Sequence, residues 1–169
     1  ARTAGLDPGM RLEHWDDTAA VTYDRHILDE LVSLRFIDNA HNALILGPVG
    51  VGKTFLATAL GHAAIRRRRS VWFERTDHLL KRLRAARLDN SRDVELRKLI
   101  RVDLLVLDDF ALAPLDAKDT ADLYELIVER HRHGATIVTS NRDPIEWLAL
   151  MADPLLAQSA IDRLQSAAH

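Results

Sequence analysis

Cysteine is absent from the 169-residue chain. This excludes disulfide bonds, thiolate catalysis and cysteine-based zinc sites. No apolar run approaches the roughly 18 residues that a membrane-spanning helix needs, and the first residues lack the apolar core of a signal peptide. The eight histidines show no spacing typical of metal ligands. Together these absences favour a cytoplasmic protein.

An excess of positive charge is also absent, since the net charge is −2. The global charge therefore predicts no nucleic-acid binding, and any such role must come from local patches. Hydrophobic residues make up 47% of the chain and charged residues 28%, which is typical of a globular protein. We expect an extended lead-in over residues 1–22 and one folded core over residues 23–169. The chain begins at Ala1 rather than methionine, which indicates a fragment.

The strongest motif lies in residues 42–54. An apolar run is followed by the pattern G-x-x-x-x-G-K-T and then by a helical pattern, which is the strand, loop and helix setting of a phosphate-binding P-loop. Its glycines can turn several backbone N–H groups toward one anion, and the N-terminal end of the following helix adds positive charge. The residues that we expect to bind the nucleotide are Gly47, Pro48, Val49, Gly50, Val51, Gly52, Lys53, Thr54 and Phe55.

Two side chains of this loop have chemical roles of their own. Lys53 can reach the β- and γ-phosphates, and the Thr54 hydroxyl can ligate Mg²⁺. The expected cofactors are therefore ATP and Mg²⁺. The alternative is a glycine-rich turn that binds nothing, and the agreement of the eight-residue pattern with its flanks argues against it.

A second, nearly unbroken apolar run, Val102–Leu107, ends at Asp108 and Asp109. A strand whose C-terminal end presents acids beside a P-loop is the Walker B arrangement. In that arrangement Asp108 would hold Mg²⁺, directly or through its water, and Asp109 would orient and deprotonate the attacking water. The alternative is an Asp-Asp turn after a core strand, which the P-loop upstream disfavours.

A further strand-like run, Ala135–Thr139, leads to Asn141. We expect Asn141 at the edge of the sheet where ligands of parallel α/β proteins bind. A polar side chain there can position an attacking water or sense the γ-phosphate. It can equally be a turn residue that precedes a helix, and its position alone leaves both interpretations open.

Strand and helix patterns alternate along the chain. They predict an α/β fold with a parallel, five-stranded-type sheet flanked by helices on both faces. One strand–helix unit, Ser70–Ile100, separates the P-loop strand from the strand that ends at Asp108. This insertion, with a polar residue after the next strand, is typical of P-loop ATPases that split water rather than of nucleotide kinases.

Positive charge is concentrated on a predicted helix of this unit that ends near Leu88. Clustered cations on one element suit contact with a phosphate backbone despite the acidic total. The candidates for contact with DNA, which we expect to be duplex, are Lys81, Arg82, Arg84 and Arg87.

Several segments together resemble the IstB-like family, from about residue 12 to nearly the end of the chain. They are Tyr23-Asp24-Arg25 with Leu34-Arg35-Phe36-Ile37, then Gly47–Thr54, Leu104–Phe110, Thr139–Arg142 and Ala160–Leu164. The P-loop alone is shared very widely, whereas the Asp-Asp-Phe, Thr-Ser-Asn-Arg and Asp-Arg-Leu segments in this order are much more specific. The family comprises AAA+ ATPases that help insertion-sequence transposases and are similar to DnaC-type helicase loaders.

The resemblance implies roles for two further side chains. Asn141 matches sensor 1, and Arg163 matches the arginine finger, which reaches into a neighbouring subunit's ATP to stabilise charge on the transferring phosphoryl group. Without the resemblance, the sequence would favour an ordinary surface arginine at position 163. The implied activity is ATP hydrolysis completed in trans by a homo-oligomer, with DNA and a transposase as partners. The alternative within the same machinery is a loader of a replicative helicase.

The chain departs from the family's pattern at three points. Val49 stands where proline is usual, and Ala111 stands where glycine usually follows Asp-Asp-Phe. We expect both to be tolerated. The family continues past the Asp-Arg-Leu segment with another strand and often with lid elements, so we expect the ATPase core to lack its full C-terminal portion.

Two other classes of function share the P-loop. A small-molecule kinase would need an acceptor pocket and an arginine-bearing lid, and the sequence shows no lid segment. A nucleotide-gated scaffold that does not hydrolyse would need no base at Asp109, so substitution of that residue separates a scaffold from an ATPase.

Overall fold

The structure is a computed structural model that describes residues 4–7, 25–166 and 168. Its centre is a parallel sheet of the strands β1 (Ala43–Leu46), β2 (Val71–Arg75), β3 (Leu104–Asp108) and β4 (Ala135–Ser140). The strands lie in the order β1-β4-β3-β2. The predicted α/β fold with a parallel sheet is therefore confirmed.

The expectation of a five-stranded sheet is wrong for the described residues, which form four strands. On the outer side of β1, the described chain supplies one isolated parallel bridge, between Asn42 and Ala168. A single bridge lacks the row of inter-strand hydrogen bonds that makes a strand. The chain thus returns to the β1 edge without forming a fifth strand in the described part.

Helices connect and flank the strands. Those in the described part are α1 (Arg25–Val32), α2 (Arg35–Asp38), α3 (Lys53–Arg66), α4 (Thr76–Leu88), α5 (Arg92–Arg101), α6 (Ala117–Arg130), α7 (Pro144–Leu150) and α8 (Pro154–Ser166). The inserted unit between the P-loop strand β1 and strand β3 therefore consists of strand β2 followed by helices α4 and α5. Within residues 4–7, 25–166 and 168, no helix combines the length and the apolar character that crossing a membrane requires.

Apolar side chains of the sheet form two cores, one on each face. Leu105 and Leu107 of β3 pack with residues of α4 to α8, whereas Leu104 and Val106 pack with residues of α1 to α3. All residues of β3 are buried. Burial on both faces is why this strand shows a continuous apolar run in the sequence instead of an alternation.

The outer edge of β2 is covered by the short segment Ala4–Asp7. The N–H of Phe73 donates to the Ala4 carbonyl oxygen (2.7 Å), and the Leu6 side chain is buried. Covering an edge strand limits its pairing with other chains. This segment belongs to the predicted lead-in; the rest of that lead-in lies outside the described residues.

Arg130, at the end of α6, is buried beside the N-terminal edge of the sheet. Its guanidinium donates, over 2.6–3.2 Å, to Leu99 O, Ile100 O, Val102 O, Ala135 O and Thr136 Oγ1. Three of these acceptors are carbonyls at the end of α5, so Arg130 caps α5 and ties it to α6 and β4. Burial lowers the pKa of Arg130 to about 10, which leaves the side chain charged at neutral pH.

Candidate nucleotide-binding site

Strand order brings the predicted site residues to one edge of the sheet. In the register, Leu46 of β1 pairs with Ser140 of β4, and Leu107 of β3 pairs with Val138 of β4. The P-loop that follows β1, the loop of Asn141 that follows β4 and the acids that end β3 therefore lie at the C-terminal ends of three adjacent strands. This edge is where parallel α/β sheets bind ligands.

The backbone of the P-loop has the conformation that its glycines predict. Gly50 and Gly52 lie at φ values of 89° and 91°, in the left-handed region that other residues rarely adopt. Gly52 directly precedes α3, which begins at Lys53. The N-terminal end of α3 therefore opens into the loop, where its unpaired N–H groups and positive dipole end favour a phosphate.

Lys53 is held inside the loop. Its Nζ donates to the Pro48 carbonyl oxygen (2.7 Å), and the residue is buried. Burial lowers the pKa of Lys53, while the carboxylates of Asp109 and Asp108 act in the opposite direction. A partly desolvated ammonium interacts strongly with an anion that enters the loop, because little water remains to be displaced.

Thr54 and Asp108, the two residues predicted to hold magnesium, are in contact. The Thr54 hydroxyl donates to Asp108 Oδ1 (3.0 Å) and Oδ2 (3.2 Å), and Asp108 is buried. A hydroxyl and a carboxylate supply the hard oxygen ligands that Mg²⁺ prefers, and Mg²⁺ sites commonly use few protein ligands beside phosphate oxygens and water. The donor set at this point therefore fits Mg²⁺.

Asp109 follows Asp108 at a strained backbone position, with a φ of 51°. Burial raises the pKa of its carboxyl, the Asp108 carboxylate raises it further, and Arg75 and Lys53 lower it. Arg75 Nε lies 3.8 Å from Asp109 Oδ2. A carboxylate with a raised pKa is a stronger base, which suits the acceptance of a proton from water.

Asn141 is exposed at the C-terminal edge, in a loop fixed by a buried tryptophan. The indole N–H of Trp147 donates to Ser140 Oγ (3.1 Å) and to the Arg142 carbonyl oxygen (3.0 Å), so the residues on both sides of Asn141 share one donor. Sequence analysis missed the role of Trp147. The available signal was the need of a buried indole N–H for a partner close to a polar loop.

Arg163 is not brought to this edge. Its Nη1 donates to the Ser159 carbonyl oxygen (3.2 Å) and also contacts the Ser159 hydroxyl. The following residue, Leu164, accepts at its carbonyl oxygen from Asn42 Nδ2 (3.2 Å), just before β1 begins. Arg163 also contributes, after burial and Arg132, to lowering the pKa of His131, which follows α6. Arg163 therefore lies by the N-terminal edge of the sheet, opposite its own P-loop.

The predicted cations of α4 are mostly paired with carboxylates. Arg82 contacts Glu74 (2.8 Å) and Glu95 (2.5 Å) and lies over the Trp72 ring at 5.2 Å. The remaining pairs are Arg84 with Asp116 and Asp119, and Arg87 with Asp122. For Lys81, the described part of the chain supplies no carboxylate partner. Three of the four predicted DNA contacts therefore have their charge balanced within the protein.

These features define a class of protein. A parallel sheet in this order, with a P-loop after β1, an acidic pair at the end of β3 and a polar residue after the strand between them, defines the P-loop NTPase fold. The family model described as IstB-like ATP binding protein matches residues 1–169, and the chain belongs to that family.

Curated relatives of the chain come from insertion sequences. The putative ATP-binding protein Rv3427c in an insertion sequence of Mycobacterium tuberculosis is 37% identical over 169 residues, which are 99% of this chain and 67% of the relative. The IS21 putative ATP-binding protein of Pseudomonas aeruginosa is 33% identical over 153 residues, which are 90% of this chain and 58% of the relative. The chain spans from 54% to 67% of the length of such curated relatives.

Several solved structures share the fold of this chain. The crystal structure of DnaI has a TM-score of 0.79 at 19% identity and covers 97% of this chain and 92% of its own. The DnaC helicase loader has a TM-score of 0.72 at 21% identity, covering 90% and 92%. The initiator DnaA, solved bound to AMPPCP and single-stranded DNA, has a TM-score of 0.73 at 23% identity, covering 91% and 48%. At these identities the likeness establishes the fold.

Proposed function

We propose that the full-length protein binds and hydrolyses ATP, assembles on DNA and supports target selection by a transposase. The observation that carries this proposal is the C-terminal edge of the sheet, where the P-loop, the Thr54–Asp108 pair, Asp109 and the loop of Asn141 meet. Membership of an ATP-binding family supports the nucleotide. The relatives' names, which refer to insertion sequences, support the link to transposition.

Phosphate binding falls to the P-loop and Lys53. Backbone N–H groups around Gly50 and Gly52 would surround the phosphates, and the ammonium of Lys53 would exchange the Pro48 carbonyl oxygen for a phosphate oxygen. Thr54 and Asp108 would hold Mg²⁺, which when bound neutralises charge on the β- and γ-phosphates.

Asp109 and Asn141 would act on the attacking water. The carboxylate of Asp109 accepts a proton from the water, and the amide of Asn141 orients the same water by a hydrogen bond. Both residues stand at the ends of adjacent strands, so their separation is set by the sheet and not by a long loop. A fixed separation favours an attack geometry that needs little reorganisation.

Arg163 would serve another copy of the chain. It lies by the N-terminal edge, near His131 and Ser159, with the length of the sheet between it and its own P-loop. A guanidinium at that position can reach a nucleotide only across a subunit contact. The proposed arginine finger therefore requires a homo-oligomer in which the N-terminal edge of one subunit meets the nucleotide of the next.

Contact with DNA would begin at Lys81, because its ammonium is exposed and the described residues leave it without a carboxylate. Arg82, Arg84 and Arg87 would reach a phosphate only by leaving their carboxylate partners. DNA affinity through α4 should therefore be moderate and should fall with rising salt.

The test is a linkage experiment on the full-length protein. Retention on duplex DNA is measured with and without ATP, and ATP affinity is measured with and without DNA. We expect each ligand to raise the affinity for the other by the same factor, about tenfold. Lys81→Ala should weaken DNA retention, whereas the control Lys118→Ala, another exposed lysine, should not. The proposal fails if neither ligand alters the binding of the other, and a preference for single strands would instead indicate a helicase loader.

A further inference from the structure

One buried hydroxyl joins both acids at the end of β3. The Thr139 side chain, near the end of β4, donates to Asp108 Oδ1 (2.5 Å) and accepts from the backbone N–H of Asp109 (2.9 Å). Thr139 has no exposed surface. A hydroxyl has one proton, and the Asp109 N–H occupies a lone pair of its oxygen, so the proton must point from Thr139 to Asp108.

Thr139 also supports the unusual backbone of Asp109. At a φ of 51°, Asp109 is in the left-handed region, which is uncommon for residues other than glycine, although aspartate and asparagine adopt it more readily than most. The Thr139 hydroxyl accepts the N–H of Asp109, and the Thr139 carbonyl oxygen accepts the N–H of Phe110 (2.8 Å). One residue of β4 therefore holds both ends of the turn that aims the Asp109 side chain.

The same hydroxyl restricts the carboxylate of Asp108. Oδ1 accepts from Thr139 and from Thr54, whereas Oδ2 accepts from Thr54 among the described residues. Two donors on Oδ1 fix the plane of the carboxylate. Oδ2 is thereby kept beside Thr54, the other residue that fits Mg²⁺.

We infer that Thr139 is a positioning residue of the ATPase site, which sets the orientation of the Asp108 carboxylate and the backbone of Asp109 through a single hydroxyl. The inference rests on the proposed ATP hydrolysis. It adds a fully buried residue that acts through the two acids by determining where they point. The end of β4 thus connects three parts of the site, Asp108, Asp109 and Asn141, since Asn141 follows Thr139 by two residues.

The chain offers a matched set of variants. Thr139→Val keeps the shape of the side chain and removes the hydroxyl, whereas Thr139→Ser keeps the hydroxyl. Thr136→Val is the control, because Thr136 is a buried threonine at the other end of β4 whose hydroxyl accepts from Arg130 Nε (3.2 Å). Thr139→Val and Thr136→Val each remove one buried hydroxyl from the same strand, and Thr139→Ser keeps it. Loss of stability alone therefore cannot distinguish the two positions.

Four quantities are measured on the full-length protein: phosphate release, ATP affinity without magnesium, the half-saturating magnesium concentration, and hydrogen exchange of the Asp109 amide without nucleotide. For Thr139→Val we expect kcat to fall by about tenfold or more, consistent with misplaced catalytic groups. The magnesium requirement should rise and the Asp109 amide should exchange faster, while ATP affinity without magnesium stays within about twofold of the wild type. Thr139→Ser should restore most of each loss, and Thr136→Val should change none of the four.

The inference is overturned if Thr139→Val keeps the wild-type kcat, magnesium requirement and Asp109 exchange rate, or if Thr136→Val changes them equally. If Thr139→Val does not fold, Thr139→Ala replaces it with the same expectations. If the wild type releases no phosphate, the proposed hydrolysis fails. The role of Thr139 is then decided by two remaining measurements, the exchange rate of the Asp109 amide and the magnesium dependence of nucleotide affinity.

Discussion

The two ends of one parallel sheet differ in how their polar groups are satisfied. At the N-terminal edge, Arg130 donates to five acceptors and the side chain of Asn42 makes hydrogen bonds at both its oxygen and its nitrogen. At the C-terminal edge, Asp109 and Ala111 lie at positive φ and Asn141 is exposed. The difference teaches that this fold satisfies buried polar groups with internal partners at one edge and leaves exposed polar and ionisable groups at the other, whereas non-glycine residues at positive φ occur at both edges, as at Ala40 and Arg132.

Burial is the main cause of the pKa shifts at both edges, but the shifted groups differ in their hydrogen-bond partners. Burial lowers the pKa of Arg130, but its charged guanidinium stabilises the fold by donating hydrogen bonds to carbonyl oxygens. Burial likewise lowers the pKa of Lys53 and raises that of Asp109, and each of these groups has few internal partners. Substitution of Arg130 at the first edge should therefore cost stability, whereas substitution of Lys53 or Asp109 at the second should cost activity and leave stability equal or higher.

Arg130→Met should produce the largest effect. Removal of the guanidinium leaves buried carbonyls without donors, and we expect the free energy of unfolding to fall by about 3–5 kcal/mol. Denaturant unfolding measures the change. Arg101→Met, at an exposed arginine of α5, is the control and should stay within about 0.5 kcal/mol of the wild type. A loss as small as that of the control would break the contrast between the edges.

Lys53→Met tests the opposite edge. ATP affinity should drop by about tenfold or more, because the charge that faces the phosphates is gone. The free energy of unfolding should stay equal or rise, since a methionine needs no water at a buried position while the ammonium does. Calorimetric titration and denaturant unfolding give the two values. A clear loss of stability would mean that Lys53 also supports the fold.

Ala111→Gly sharpens the comparison at a second strained residue. Ala111 lies at a φ of 62°, where glycine suffers no steric penalty, although the methyl group is buried. Relief of strain should offset the lost burial, so Ala111→Gly should be more stable than the control Ala113→Gly by about 1 kcal/mol. Thermal unfolding of both variants checks the difference. Equal losses would show that the positive φ of Ala111 carries no cost.

Asp109→Asn should give the smallest change in stability, and its sign depends on pH. The folded-state pKa of Asp109 is raised, so its ionisation opposes folding at neutral pH and not at an acidic pH where the carboxyl is protonated in both states. The variant, which tolerates a positive φ, should exceed the wild type by a few tenths of a kcal/mol at neutral pH. The gain should shrink as the pH falls below the raised folded-state pKa and should vanish once the pH is also below the ordinary pKa of an aspartate. A gain that is independent of pH would contradict this assignment.

Sequence alone located the parts of the candidate site that are local in the chain, and their roles stay predictions. The P-loop, the acids after a continuous apolar run and Asn141 at a strand end each carry a signal within a few residues. Sequence alone did not predict the order of the strands, because β4 inserts between β1 and β3 through contacts that no local pattern encodes. The expectation of a five-stranded sheet was wrong for the described residues, which form four strands and supply a single bridge, between Asn42 and Ala168, beside β1.

Interactions between distant residues account for what the sequence did not reveal. Thr139 meets Asp108 from 31 positions away, and the carboxylate partner of Arg84, Asp119, lies 35 positions along the chain. Four cations on one helix therefore looked like a nucleic-acid surface, whereas the fold supplies carboxylates to three of them. Contact between α4 and DNA stays a prediction, and Lys81 is now the main candidate for that contact.

Phosphate release by the full-length protein, compared with that of Asp109→Asn, tests the central claim most directly. The claim is that the C-terminal edge of the sheet hydrolyses ATP with Asp109 as the base. We predict magnesium-dependent turnover by the wild type and a loss of about a hundredfold or more in Asp109→Asn, with ATP affinity preserved. Equal turnover by the two proteins would contradict the account and would favour a nucleotide-gated scaffold.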